Sequence, residues 1–319
     1  MYKKLIASGL TLSMMAVSTS GLAKAEENQI EQKTFTQGAD LNINQLNETK
    51  NVLGVDGDYQ RYKIDSEDVQ KYTGKYYDTI FSSTVIEPKK FGHGVDVKIV
   101  TPNNITDVTK EQYMNAAITS GIQDANIKVG AVEQTLGYGA LSGIYKAYEE
   151  EGNALNKEDI QNADEEMQQL SNISKENQGN EDYSDEALNN AVAEIKQEIA
   201  DQKQNNDNLN QDEVQKIVDD KLKENGLNNL LSDNQINNIY NIMNNVSNSK
   251  VMNDDPQAYK DNAKKVAKSI QDNSKDLINK AKDKANELNT DENKNKVVQF
   301  FQWLWSIIVS IWNWIVSLF

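Results

Sequence analysis

The sequence predicts an α+β protein. A mixed α/β head of about four strands with flanking helices comes first, then a polar helical bundle and stalk, then an apolar amphipathic C-terminal helix. Three observations predict this. Over residues 35–152, short β-branched and aromatic runs alternate with capped helical patterns. Over 153–250, and as a charged stalk over 251–296, helical periodicity continues without strand signals. Residues 297–319 then carry no charged side chain.

In the head, Asn42 and Gln45 have capping-box spacing ahead of Leu46, Val52 and Leu53, and Gly54 suits the end of that helix. Strand-like runs follow at Tyr59–Ile64, Thr79–Ile86 and Val95–Val100. Thr109 with Gln112 opens a helix through Tyr113, Ala116, Ala117 and Ser120 that stops at Gly121. Ile127–Val132 alternates like a strand, and Leu141, Ile144, Tyr145 and Tyr148 space like a helix before Gly152. Such alternation predicts one compact layered domain.

Beyond the head, three helices show one narrow apolar face each. Ser184 precedes Ala187, Leu188, Val192, Ile195 and Ile199; Asn210 with Glu213 precedes Val214, Ile217, Val218 and Leu222, ending at Gly226. Ser232 with Gln235 precedes Ile236, Ile239, Tyr240, Met243 and Val246. Asp254-Asp255-Pro256 breaks the pattern. From Tyr259 to Leu288, Lys, Asp and Ala alternate around sparse Val266, Ile270, Leu277 and Ile278, which reads as a solvated helical stalk. Loose linkers are expected near Gln178–Asp182 and Gln204–Asn208.

The two ends point to export and to a membrane. Tyr2-Lys3-Lys4 is a short basic region, Leu5 to Leu22 is uncharged, and Ala23-Lys24-Ala25 places small residues where a signal peptidase reads. Residues 1–25 therefore read as a signal peptide cleaved before Glu26, and 26–34 as a flexible N-terminus. At the other end, 297–319 holds all four tryptophans, Trp303, Trp305, Trp312 and Trp314. With Phe300, Phe301, Leu304, Ile307, Ile308, Ile311 and Ile315 they form the expected membrane-contacting set, indole favouring the membrane–water boundary. Gln299, Gln302, Ser306, Ser310, Asn313 and Ser317 recur every three or four residues, one polar stripe on a helix. The segment lies in the interface, spans the bilayer and pairs through its stripe, or packs as a core helix. No Lys or Arg follows it, contrary to the positive-inside pattern, and no L-P-x-T-G sorting motif precedes it.

Composition narrows the chemistry. The net charge of −16 becomes about −19 once Lys3, Lys4 and Lys24 leave with the signal, which opposes nucleic-acid binding. Cysteine is absent, so disulfides, thiolate metal sites and Cys nucleophiles are excluded. Gly137-Tyr138-Gly139-Ala140-Leu141-Ser142-Gly143 stands where a dinucleotide loop would. Its third glycine is one residue late for G-x-G-x-x-G, and no strand-ending acid follows about 20 residues on. Small residues that let the helix pack closely on the sheet explain it, with anion binding at the helix N-terminus as an alternative. His93, the single histidine, sits between two glycines as a turn residue would. Asp56-Gly57-Asp58 lacks the remaining ligands of a calcium loop. The acidic runs Tyr148–Glu151 and Asp164–Glu166 read as solvated helix faces. No catalytic, cofactor or metal residues are assigned.

Several stretches of the head resemble one family. They are Gly38-Ala39-Asp40-Leu41, Ser82-Ser83-Thr84-Val85-Ile86-Glu87-Pro88, Gly94-Val95-Asp96-Val97, Asn104-Ile105-Thr106 and Tyr113-Met114-Asn115-Ala116-Ala117, then Gly121-Ile122 to Val129 and Gly139 to Glu149. In order and spacing they resemble the domain-of-unknown-function family 1002, YpuA-like exported proteins of Gram-positive bacteria. The resemblance implies a secreted or envelope location and no chemistry. The expected role is a non-enzymatic protein, secreted or on the extracellular face of the cell envelope. Its partners are membrane lipid or further copies of itself, with no nucleic acid and no cofactor. The alternatives are a membrane-perturbing secreted effector and a secreted hydrolase or small-ligand binder in the head.

Overall fold

The computed structural model describes residues 30–89, 94–153, 155–205 and 209–288. Their order in the head is β1 (Thr34–Gly38), α1 (Ile43–Leu53), β2 (Gln60–Ile64), α2 (Ser66–Thr73), β3 (Ser83–Pro88), β4 (Asp96–Ile99), α3 (Lys110–Thr119), β5 (Ala125–Gly130) and α4 (Tyr138–Glu150). The helices α5 (Lys157–Glu176), α6 (Asp185–Asn205), α7 (Gln211–Glu224), α8 (Asp233–Ser247), α9 (Lys250–Asp254) and α10 (Pro256–Leu288) follow.

The helix starts follow the side chains that cap them. Asn42 with Gln45, Thr109 with Gln112, Asn210 with Glu213 and Ser232 with Gln235 all form reciprocal capping boxes, each satisfying two otherwise orphaned N–H groups. Ser184 Oγ accepts from Ala187 N at 3.2 Å ahead of α6. Gly54 closes α1 in the left-handed conformation.

The head has five strands where about four are predicted, in the order β2-β1-β3-β5-β4. The missing one is β1, which pairs parallel with β2 and antiparallel with β3. Its sequence, Thr-Phe-Thr-Gln-Gly, offers a single large apolar residue to a pattern search. Helix α2 is also unpredicted, being short with only Val69 and Tyr72 buried. The strand expected from Thr79 begins at Ser83. Before it, Ile80 N donates to Asp40 at 2.7 Å instead of to a neighbouring strand.

The sheet is covered unequally. On one face α1 lays Leu53 over Phe35, Tyr59 and Val85 in a small cluster. On the other, α2, α3 and α4 bury Ile86, Ile127, Val129, Tyr113 and Tyr145 in the main core. That core extends past the sheet into Ile160, Ala163 and Met167 of α5 and into Ala263, Val266, Ala267, Ile270 and Ile278 of α10. A second core joins α5 to α10, with Leu188, Val192, Val218, Ile239 and Met243 at its centre and Tyr259 and Ala281 among its members.

The expectation of a solvated stalk is therefore corrected. After Pro256 the helix runs along α6 and contributes to both cores. It kinks at Ser274, which leaves helical geometry at φ −137° and ψ 23°. Its buried face is mostly alanine and widely spaced β-branched residues, a stripe that charged neighbours mask in sequence. No helix among the described residues is long and apolar enough to cross a membrane.

Candidate functional site

Three of the four parallel strands, β1, β4 and β5, bring their carboxyl ends toward the segment that precedes α4, the edge where open α/β sheets commonly hold ligands. From β5 the chain crosses residues 131–137 and turns into α4 at Gly137, whose φ of 98° needs a residue without Cβ. Tyr113 OH donates to the Gly137 carbonyl at 2.6 Å and fixes the turn. Gly137 offers no side-chain cap to the first turn of α4.

Close packing explains the later glycines, as the sequence suggests. A Cβ on Gly139 would lie 3.2 Å from Ile80 Cγ2 and from Ser82 Oγ. One on Gly143 would lie 3.3 Å from Thr84 Oγ1 and 3.4 Å from Thr36 Cγ2. Helix and sheet thus meet along a seam where an added methyl would have to push its neighbours aside by a few tenths of an ångström.

Above this seam, at the first turn of α4, is a cleft of about 460 Å³. Residues Tyr77–Ser82 form one wall and Thr106, Thr135 and Leu136 the other. Thr106 N donates to Thr135 O at 3.1 Å and Thr135 N to Asn104 O at 2.8 Å, which ties the second wall together. No Lys or Arg lines the cleft. Ser82 is 1% exposed and lines the cleft, with no side-chain hydrogen bond to another described residue. The rings of Tyr77 and Tyr138 lie 6.2 Å apart. Burial first, then the nearby Asp164 carboxylate and Tyr138, pushes the Tyr77 phenol up to about 12, so it stays a neutral hydroxyl. Leu136 stands 45% exposed at the rim.

A second polar cluster is closed to solvent. Lys196 Nζ lies 2.6 Å from Glu166 Oε1 with both side chains fully buried. Thr119 Oγ1 donates to Glu166 Oε2 at 2.7 Å, and Lys196 also donates to Asn115 O at 2.9 Å. Desolvation pulls the Lys196 ammonium below its ordinary value, while Glu166 opposes the shift. Asp164, held up by burial against the pull of Lys75, is 2% exposed. The run Asp164–Glu166 is thus no solvated face: two of its carboxylates point inward from α5. The cluster ties α3, α5 and α6 together.

The open end of the sheet, beyond α1, is a shallow charged surface. Glu87 accepts from Tyr59 OH at 2.5 Å and has Lys33 and Lys128 each at 3.9 Å; Lys89 pairs with Asp96 at 2.7 Å. These charges satisfy one another. No group of three or more acidic, His or Cys side chains among the described residues is arranged to hold a metal ion.

The residues predicted to contact a membrane (Phe300, Phe301, Trp303, Leu304, Trp305, Ile307, Ile308, Ile311, Trp312, Trp314 and Ile315) lie outside the described residues. So do Ala23, Ala25 and His93. The Asp56-Gly57-Asp58 turn closes on itself, Asp58 N donating to Asp56 Oδ1 at 3.1 Å. Sequence reasoning missed Ser82, Tyr77 and Leu136, because nothing local marks residues from two loops as facing each other.

Residues 37–266 match a family described as "Protein of unknown function (DUF1002)". Among curated proteins, "Uncharacterized protein YpuA" of Bacillus subtilis (strain 168) is 32% identical over 295 residues, covering 89% of this chain and 88% of that one. No solved structure matches the chain.

Proposed function

The chain belongs to the DUF1002 family, whose description carries no activity, and on that premise we propose a non-enzymatic exported protein of the cell envelope, held at a membrane by residues 297–319. The observation that carries this reading is the burial of α10 in both cores. The helix ends at Leu288, so only residues 289–296 separate the folded body from the tryptophan-rich segment. Even fully extended they reach no more than about 28 Å. Whatever holds the tail therefore holds Leu288 within about 28 Å of it.

Apolar burial drives the contact, because the net charge of −16, nearer −19 after loss of Lys3, Lys4 and Lys24 with the signal, is repelled by anionic lipid. Export rests on the basic start, the uncharged run and Ala23-Lys24-Ala25, and predicts an N-terminus at Glu26 in the secreted protein. The test is flotation with neutral phosphatidylcholine vesicles, using the mature chain and a form ending at residue 296. The full chain floats and the shortened form stays in the dense fraction. Both forms remaining dense overturns the reading. Dye release that disappears with the shortening assigns the tail a membrane-perturbing role instead, through its Gln, Ser and Asn stripe.

A further inference from the structure

We propose that the cleft at the first turn of α4 binds a neutral, polyhydroxylated ligand of the saccharide class. All of its lining residues lie between Tyr77 and Gly139, and none belongs to residues 297–319.

The lining chemistry selects the ligand. A helix N-terminus alone favours anions. Here no cation lines the cleft, Asp78 does, and Asp40 stands just behind Ile80, so a phosphate would be met by carboxylates. What remains is a mixed set of donors and acceptors. Thr79, Ser82 and Thr135 bring hydroxyls able both to donate and to accept, while Thr106 Oγ1, which donates to Asp107 Oδ1 at 2.9 Å, and Asp78 can accept. The uncapped first turn of α4 presents N–H donors. A sugar hydroxyl needs both kinds of partner.

A sugar ring also has an apolar C–H face, which stacks on aromatic or aliphatic side chains. Tyr77 and Phe81 supply such surface inside the cleft, and the exposed Leu136 supplies it at the rim. Ser82 is the independent sign of a ligand. The residue is 1% exposed, lines the cleft beside Gly139 and makes no side-chain hydrogen bond to a described residue, so its hydroxyl is left for a ligand hydroxyl to engage. The volume of about 460 Å³ falls within the range of small-ligand sites.

The experiment is isothermal titration of the full mature chain with soluble neutral oligosaccharides of glucose, mannose and N-acetylglucosamine, with inorganic phosphate titrated in parallel. At least one oligosaccharide binds, and phosphate does not. Ser82→Ala removes one hydrogen bond and weakens binding about fivefold. Leu136→Ala, on the exposed rim where folding is unaffected, weakens it by a similar factor through lost apolar contact. Circular dichroism of both variants confirms the fold. No binding across the panel at millimolar ligand overturns the proposal. So does phosphate binding in place of sugar, or sugar binding that neither variant changes.

Discussion

At the scale of single residues, the Glu166–Lys196 pair shows what a sequence hides. Glu166 lies in a run of acids and Lys196 among alternating polar residues, so each reads as surface. They meet because α5 and α6 both pack on α3, whose Thr119 and Asn115 also bond the pair, and the two charges are 30 positions apart in the chain. Removing one partner leaves a buried charge with no counter-ion, whereas removing both leaves an apolar void of similar shape. Lys196→Met is therefore expected to lower unfolding free energy by about 3–5 kcal/mol, and Lys196→Met combined with Glu166→Leu by much less. Urea denaturation of the three proteins checks this; equal losses in single and double variants would show that the pair matters only for packing. The cleft residues were illegible for the same reason. Ser82 and Leu136 carry no local pattern, and only the fold brings their loops together.

At the scale of elements, what was legible was what is local. Four capping boxes were readable because the partners sit three residues apart. Strand β1 and helix α2 were not, since each shows one or two apolar side chains and borrows its stability from neighbours. Helix α10 was read as helical but placed in solvent. It packs along α6, and alanine is frequent among the buried residues of both helices, Ala263, Ala267 and Ala281 on one and Ala187, Ala191, Ala193 and Ala200 on the other. Alanine lets backbones approach closely yet contributes little to an apolar pattern. The seam between α4 and the sheet follows the same logic with glycine. Gly143→Val would press methyl groups onto Thr84 and Thr36, where even a Cβ lies at 3.3–3.4 Å. A loss of about 1–3 kcal/mol is expected from such overpacking, measured as a fall in the denaturation midpoint. An unchanged midpoint would mean the helix can lift from the sheet.

At the scale of the whole molecule, α5 and α10 are each shared by both cores, Ile160, Ala163 and Met167 lying in one and Leu170 and Ile173 in the other. Head and helical region then have no boundary at which one can melt alone. The expected outcome is a single unfolding transition, with far-ultraviolet dichroism and tyrosine signals from the body coinciding. Two separated transitions would show that the shared helices uncouple. All four tryptophans lie in the tail, so indole emission reports on that segment and tyrosine on the body. The closing role of α10 also sets a clock. A chain that leaves a ribosome or a membrane channel N-terminus first lacks one wall of each core until residue 288 is clear. Until then its strands and helices have no lasting tertiary partner on that side. Commitment to the native state is deferred to the end of synthesis, and a polypeptide that stays pliable for that long is one a transport machine can still thread.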